Sequence, residues 1–119
     1  MLNVGTRRIF LCRQPVDMRK SFDSLSDLVR TQVGMNPLGG DVFVFIGKDR
    51  TRVKVLMWER SGFWLCAKRL ETARFDQPVA SVDAVRSGVI ALSGAQLATL
   101  LEQVLPRSLR HVSAPSLSG

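Results

Sequence analysis

The chain has few of the residues from which metal sites and catalytic centres are built. It contains one histidine, His111, and two cysteines, Cys12 and Cys66, which are not in a CxxC or Cys/His spacing. A four-ligand zinc site is therefore excluded, and we expect both cysteines to be buried thiols in a reducing compartment. Glycine-rich phosphate loops, GxSxG motifs and HExxH motifs are also missing. We therefore expect no metal, no cofactor and no enzymatic activity.

Long apolar segments are absent as well. No run of about 18 apolar residues occurs, which argues against a membrane-spanning helix. The first residues do not combine a positive region with an apolar run, so we expect no signal peptide and a cytoplasmic protein. A chain of 119 residues should form one domain, which we place at residues 1–106, followed by a flexible tail over residues 107–119.

Acidic residues are scarce beside the basic ones. The chain has 17 Lys and Arg against 10 Asp and Glu, which gives a formal net charge of +7. Residues 48–74 hold eight of the bases but only three of the acids. This concentration favours an anionic partner, and nucleic acid is the commonest one. The eight bases are Lys48, Arg50, Arg52, Lys54, Arg60, Lys68, Arg69 and Arg74.

Apolar spacing predicts a helix followed by three strands. From Met18 onward, apolar residues recur at intervals of three, four and seven. We therefore expect a helix over residues 17–33 with Asp17 as its N-cap. Residues 42–70 contain three segments rich in β-branched and aromatic residues, separated by turn-forming residues. That pattern predicts an antiparallel meander.

The C-terminal third predicts a further strand and a second helix. Val89–Leu92 can add a short strand to the sheet. Ser93 and Gln96 then form a capping box that begins a helix over residues 94–105. The expected fold class is α+β: an antiparallel sheet of three to four strands, packed by the helix of residues 17–33, with a second helix near the C-terminus.

The two tight turns of the meander predict which residues face each other across the strands. The expected pairs are Phe45 with Arg52, Phe43 with Lys54, Arg52 with Arg69, Lys54 with Ala67, Leu56 with Leu65, and Trp58 with Phe63. One face is then uniformly apolar, and we expect it to pack on the first helix. Its residues are Val42, Val44, Ile46, Val53, Val55, Met57, Trp64 and Cys66.

The opposite face of the sheet is the predicted functional surface. Arg52, Lys54 and Arg69 are expected to contact phosphates. Phe43 and Phe45 are expected to stack on bases unless the second helix covers them. Farther along the same face, four apolar side chains form a candidate protein interface. They are Leu56, Trp58, Phe63 and Leu65.

A second basic position lies at the predicted start of the first helix. Arg19 and Lys20 there oppose the helix dipole unless a negative group is near. Pairing with Asp17 and Asp23 would explain them, and contact with a phosphate is the alternative.

Several segments of the chain resemble those of a known family. Residues 15–25 read PVDMRKSFDSL and resemble the signature PxDMRKGFDGL of a small accessory protein, of TnpB type, encoded by the second reading frame of bacterial insertion sequences of family sixty-six. The resemblance spans about residues 10–105. It continues through Phe43–Phe45, KVLMWERSGF at residues 54–63, Leu65, Lys68–Glu71, Arg74–Phe75 and Ser93–Leu101. The chain departs from the pattern with serines in place of glycines and a glutamate in place of an aspartate, at Ser21, Ser24, Ser61 and Glu59.

The resemblance implies a role in transposition beside a separate, larger transposase that performs strand transfer. It supplies no catalytic site. Our leading hypothesis is a non-catalytic accessory protein that binds DNA, at the element ends or non-specifically, through the bases of residues 48–74 with Arg19 and Lys20. The alternative is an adaptor that docks on the transposase or self-associates through the apolar patch. A third alternative, an enzyme, would need a pocket lined by Asp23, Asp27 or His111.

Overall fold

Five strands form one mixed sheet in the order β4-β3-β2-β1-β5. A computed structural model describes residues 4–72, 74–75 and 87–102. The strands are β1 Ile9–Cys12, β2 Val42–Ile46, β3 Arg52–Glu59, β4 Gly62–Arg69 and β5 Val89–Leu92. β1 and β2 are parallel, whereas the other neighbouring strands are antiparallel.

The predicted antiparallel sheet of three to four strands is therefore wrong in strand count, order and direction. The difference arises at β1, which inserts between β2 and β5. A parallel pair needs a crossover connection of a dozen or more residues, and residues 13–41 supply it. β2 becomes a central strand with all five residues buried, which explains its unbroken apolar sequence VFVFI.

The first helix is shorter than predicted. α1 spans Phe22–Leu28 and continues as a π-helical turn, Val29–Val33. It ends at Gly34, whose φ of 75° lets its N–H reach the Val29 carbonyl. Asp17 does not cap the helix, because its carboxylate accepts hydrogen bonds from Arg19 in the loop before it.

The second helix, α2, spans Gly94–Glu102 in the described chain. Its capping box is confirmed: the Ser93 N–H donates to Gln96 Oε1 at 2.7 Å, and the Gln96 N–H donates to Ser93 Oγ at 3.0 Å. The short strand over Val89–Leu92 is confirmed too. The predicted end of the helix at residue 105, most of the connection at 71–88 and the tail at 107–119 lie outside the described residues.

Each helix packs on the face of the sheet opposite to the predicted one. The valine face, defined by Val42, Val44, Ile46, Val53, Val55 and Met57, packs against Leu97 and Leu100 of α2. The phenylalanine face, defined by Phe43, Phe45 and Leu56, packs against Leu25 and Val29. β1, α1 and β2 form a β-α-β unit, and the hand of its crossover, not the apolarity of a face, decides where the helix lies.

The predicted register is right for one hairpin and shifted for the other. Between β3 and β4, all four expected pairs are confirmed, including Arg52 opposite Arg69. Between β2 and β3, Phe45 lies opposite Lys54 and not Arg52. The turn takes two more residues than expected, with Arg50 at a φ of 61°. A shift of two residues leaves every side chain on its predicted face.

Both cysteines are free thiols. Cys12 is buried as expected, and burial raises the pKa of its thiol to about 12. Cys66 is only half-buried beside α2, so the expectation of two fully buried thiols holds for one of them.

Candidate nucleic-acid interface

The loop that precedes α1 is held against one end of the sheet. The Val16 N–H donates to the Ile46 carbonyl at 3.1 Å, at the end of β2. On β3, Lys54 Nζ donates to the Lys20 carbonyl at 2.6 Å. These two bonds fix residues 15–21 beside the β2–β3 turn, on the phenylalanine face.

Close packing of Met18 on the turn completes this arrangement. A Cβ atom added to Gly47 would lie 2.9 Å from Met18 Cγ, which is closer than two non-bonded carbon atoms approach each other in proteins. Glycine at position 47 therefore leaves the room that the loop needs.

The docked loop brings basic residues from separate segments to one end of the molecule. We call them the basic cluster: Arg19, Lys20, Lys48, Arg50, Arg52, Lys54, Arg69 and Arg74. Arg74 joins through its neighbour Phe75, which is buried and donates its N–H to the Arg50 carbonyl at 2.7 Å. Three carboxylates, those of Asp17, Asp49 and Glu71, lie in the same region, so the cluster keeps a positive balance of five charges (eight minus three).

Two shallow depressions that share Met18 and Arg52 open on the cluster. One, of about 530 Å³, lies between the loop and the turn and includes Lys48 and Asp49. The other, of about 570 Å³, lies over the ends of β3 and β4 and includes Lys54, Arg69 and Glu71. Four cations of the cluster therefore border open recesses that an anion can enter: Lys48, Arg52, Lys54 and Arg69.

Few of the cluster's cations are neutralised by neighbours. Arg19 pairs with Asp17 at 2.8 Å, and Arg69 pairs with Glu71 at 2.8 Å. All four side chains are well exposed, and exposed ion pairs contribute little and weaken with salt. Within the described ranges, the other six cations of the cluster have no carboxylate oxygen within 4.0 Å.

The carboxylates of the region are strongly engaged. Hydrogen bonds from the Arg19 side chain and N–H hold the pKa of Asp17 well below its usual range. The Thr51 N–H, which donates to Asp49 Oδ1 at 3.1 Å, lowers the pKa of Asp49. Both groups are therefore charged at neutral pH and still leave the cations in excess.

Two predicted basic residues do not join the cluster. Arg60 lies in the β3–β4 turn, eight residues from Arg52 along β3, which corresponds to roughly 26 Å of strand. Lys68 projects from the face of β4 opposite to Arg69, beside Leu97 and Leu101, and borders the second depression only from that side.

The predicted stacking residues are not available. Phe43 and Phe45 have no exposed surface, because the first helix and the segment after it cover them. The expectation that they stack on bases is therefore wrong, and so is the alternative that the second helix covers them. Leu56, a predicted interface residue, is equally buried.

The remaining interface candidates are only partly covered. Trp58, Phe63 and Leu65 are half-buried, and the Trp58 and Phe63 rings meet edge to face at 4.9 Å. The sequence analysis missed Phe22, which is 41% exposed and whose ring lies 6.5 Å from that of Phe63. It also placed Trp64 in the core, although Trp64 is 55% exposed. Alternation along a strand predicts on which face of the sheet a side chain lies. It does not predict whether the helix on that face extends far enough to cover the side chain.

Comparison with known proteins identifies the family. A family model described as IS66 Orf2 like protein matches residues 7–111. The chain belongs to the IS66 Orf2-like family. This membership makes it an accessory protein associated with transposition and with the transposase system of insertion sequences.

Two relatives of the IS66 Orf2-like chain come from Sinorhizobium fredii (strain NBRC 101917 / NGR234). Uncharacterized protein y4hO is 37% identical over 112 residues, which cover 94% of this chain and 93% of the relative. Uncharacterized protein y4jC is 33% identical over 94 residues, 79% of this chain and 76% of the relative. No solved structure matches the chain.

The described part of this IS66 Orf2-like protein has neither a membrane-spanning helix nor a cluster of metal ligands. Among the helices described, none has the length and apolarity needed to cross a membrane. In the same ranges, no group of three His, Cys, Asp or Glu side chains is placed to hold a metal ion. Of the residues named for an enzyme pocket, Asp27 accepts a hydrogen bond from Arg30 at 3.4 Å, and His111 lies outside the described chain.

Proposed function

We propose that this IS66 Orf2-like protein binds DNA through the basic cluster, as a non-catalytic accessory protein of transposition. One observation carries the proposal: the loop with Arg19 and Lys20 docks on the end of the sheet that bears Arg52 and Lys54. Residues far apart in the sequence thus present their positive charge together. Proteins that neutralise DNA phosphates have such concentrated cationic surfaces.

Charge repulsion within the cluster supports binding of an anion. Arg52 and Arg69 lie directly opposite each other on the same face of the β3–β4 hairpin. Like charges in such a cross-strand pair are destabilising, and Glu71 forms its ion pair with Arg69 and not with Arg52. A phosphate between the two guanidinium groups would remove the repulsion and accept hydrogen bonds from both.

Most arginine side chains elsewhere in the described chain form ion pairs with carboxylates or have other interactions. Arg7, Arg8 and Arg30 pair with Glu59, Asp41 and Asp27. Arg13 has an interaction of its own. Eight other basic side chains of the described chain have no carboxylate within 4.0 Å: six belong to the basic cluster, and the other two are Arg60 and Lys68. The excess positive charge is therefore localised, which favours one binding surface over general basicity.

A charge-matched pair of variants tests the proposal. Arg52→Gln with Arg69→Gln removes two cations from the cluster, and Arg30→Gln with Arg60→Gln removes two cations outside it. Binding to a DNA duplex is measured by fluorescence anisotropy over a range of salt concentrations. We expect the first variant to lower affinity roughly 10- to 100-fold at about 0.1 M salt and to reduce the log-log salt slope by about 2. The second should bind like the wild type. Equal losses in the two variants would reject the cluster as the binding surface.

The exposed aromatic end of the hairpin supports a second candidate function, docking on the transposase. Phe22, Trp58 and Phe63 form a partly exposed ring group. Trp58 and Phe63 lie next to the β3–β4 turn, and Phe22 meets them from the start of α1, two residues after Lys20. Aromatic residues are enriched in protein interfaces. Co-purification with the transposase of the same element, in high salt and nuclease, tests this role. Trp58→Ser with Phe63→Ser should abolish that association and leave DNA binding intact, since both rings lie next to the β3–β4 turn, at the opposite end of the hairpin from Arg52 and Arg69.

A further inference from the structure

We infer that the basic cluster is built for the phosphate backbone of double-stranded DNA and not for unstacked single strands. The inference rests on the proposed function and specifies the form of nucleic acid that the site takes. It follows from which side chains surround the cations and which do not.

Aromatic rings are missing from the two depressions of the cluster. Single-strand binding surfaces combine a cationic groove with exposed aromatic rings on which successive bases stack, each worth about 1–3 kcal/mol. The described residues around the depressions offer Met18, Val16, Val53 and Ala67 as their apolar members. Phe43 and Phe45 lie on β2, next to the strand that carries Arg52 and Lys54, and both rings are wholly buried. Unstacked bases would thus find cations but no ring.

Both tryptophans lie far from the cluster. Trp58 and Trp64 are near the β3–β4 turn, and the Trp64 indole N–H donates to Glu59 Oε1 at 3.1 Å. On β3, Trp58 lies four residues beyond Lys54, the nearest cluster residue on that strand, which is roughly 13 Å of strand. DNA seated on the cluster should therefore leave tryptophan fluorescence unchanged.

Phe22 is the exposed ring closest to the cluster along the chain, two residues after Lys20. Its ring lies 6.5 Å from that of Phe63, toward the far end of the hairpin, and it does not border either depression. Its exposed surface is accordingly assigned to the aromatic group and not to the cationic recess. Replacing it is the sharpest check on whether a base stacks there.

Charge density makes the preference for duplex measurable. Binding releases about 0.9 counterions per phosphate contacted on duplex DNA and about 0.7 on a single strand. For about five contacts the two salt slopes differ by about 1, so a duplex that binds as tightly as the single strand at about 1 M salt binds about 20-fold more tightly at about 0.05 M salt. Without stacking, nothing at the site offsets this difference.

The experiment compares a duplex with the single strand of the same sequence and length, for the wild type and Phe22→Leu. Anisotropy of labelled DNA and intrinsic tryptophan emission are both recorded. We expect the wild type to bind the duplex about 20-fold more tightly at about 0.05 M salt, with unchanged tryptophan emission. Phe22→Leu should bind both forms like the wild type.

The outcomes separate this inference from the proposal beneath it. Equal or tighter binding to the single strand, quenching of tryptophan, or a loss of single-strand binding in Phe22→Leu would each overturn the duplex inference while DNA binding stands. Binding to neither form would overturn the proposed function and the inference together. The charge-matched arginine variants give an independent readout. Arg52→Gln with Arg69→Gln should lower the affinity for either form of DNA more than Arg30→Gln with Arg60→Gln does only if the basic cluster is the binding site.

Discussion

At the scale of single residues, Arg50 and Arg60 are a natural matched pair. Both are turn residues with a φ of 61°, a conformation that glycine adopts more readily than arginine. Both are exposed, but only Arg50 belongs to the basic cluster. We expect Arg50→Gly to weaken duplex binding about 3- to 10-fold and to lower the salt slope by about 1. Arg60→Gly should not change binding, and the two variants should have similar stability in urea titrations.

The carboxylate of Asp17 gives a second prediction at this scale. Because its folded pKa is lowered, its ion pair with Arg19 stabilises the loop at every pH above the ordinary Asp value, about 3.9, and is lost only as the pH falls through the folded pKa. Arg19→Ala removes the side-chain hydrogen bonds that are the main cause. NMR titration should show the Asp17 pKa rising toward its ordinary value, while that of Asp49, set by Thr51, stays lowered. An unchanged Asp17 pKa would contradict the assigned cause.

At the scale of elements, the two helix starts differ in a testable way. Ser93 caps α2 through a reciprocal pair of hydrogen bonds with Gln96, whereas Ser21, at the N-cap of α1, makes no side-chain capping bond. Ser93→Ala should lower the free energy of unfolding by about 0.5–2 kcal/mol, and Ser21→Ala by much less. Urea titrations of both variants measure the difference. Equal effects would mean that the α2 cap contributes nothing specific.

Elements were predictable from the sequence where their determinants are local. The capping box and the β3–β4 register depend on residues within a few positions of each other, and both were right. The β2–β3 register failed because Arg50 carries no sequence mark of a left-handed turn, as Gly or Asn would. The parallel pairing of β1 with β2 failed because it joins segments some 30 residues apart with no local signal. That one error also placed each helix on the wrong face.

The candidate site was predictable in its residue types but not in its assembly. Excess charge over residues 48–74 and the pair Arg19 and Lys20 were visible in the sequence. These residues lie together because Lys54 donates a hydrogen bond to the Lys20 carbonyl, and no residue pattern predicts that bond. The local charge excess put Arg60 in the site and strand alternation put Phe43 there, whereas the length of the hairpin removes Arg60 and the cover of the first helix removes Phe43.

At the scale of the whole molecule, the proposed DNA binding depends on how the loop packs against the sheet, and a substitution at Gly47 should disturb that packing. Gly47→Ala places a methyl group within 2.9 Å of Met18 Cγ and should displace the loop, at a cost of about 1–3 kcal/mol in stability. Gly62→Ala is the control, since its methyl group would meet nothing within 4 Å.

If the docked loop assembles the cluster, Gly47→Ala should weaken duplex binding although no charge has changed, while Gly62→Ala should bind like the wild type. NMR chemical shifts distinguish local displacement of residues 15–21 from a change in the sheet, and urea titration shows whether the variant is folded under the binding conditions. A folded Gly47→Ala protein with a displaced loop and full affinity would show that the strand cations suffice alone. The segment of residues 15–25 would then serve a purpose other than presenting charge to DNA.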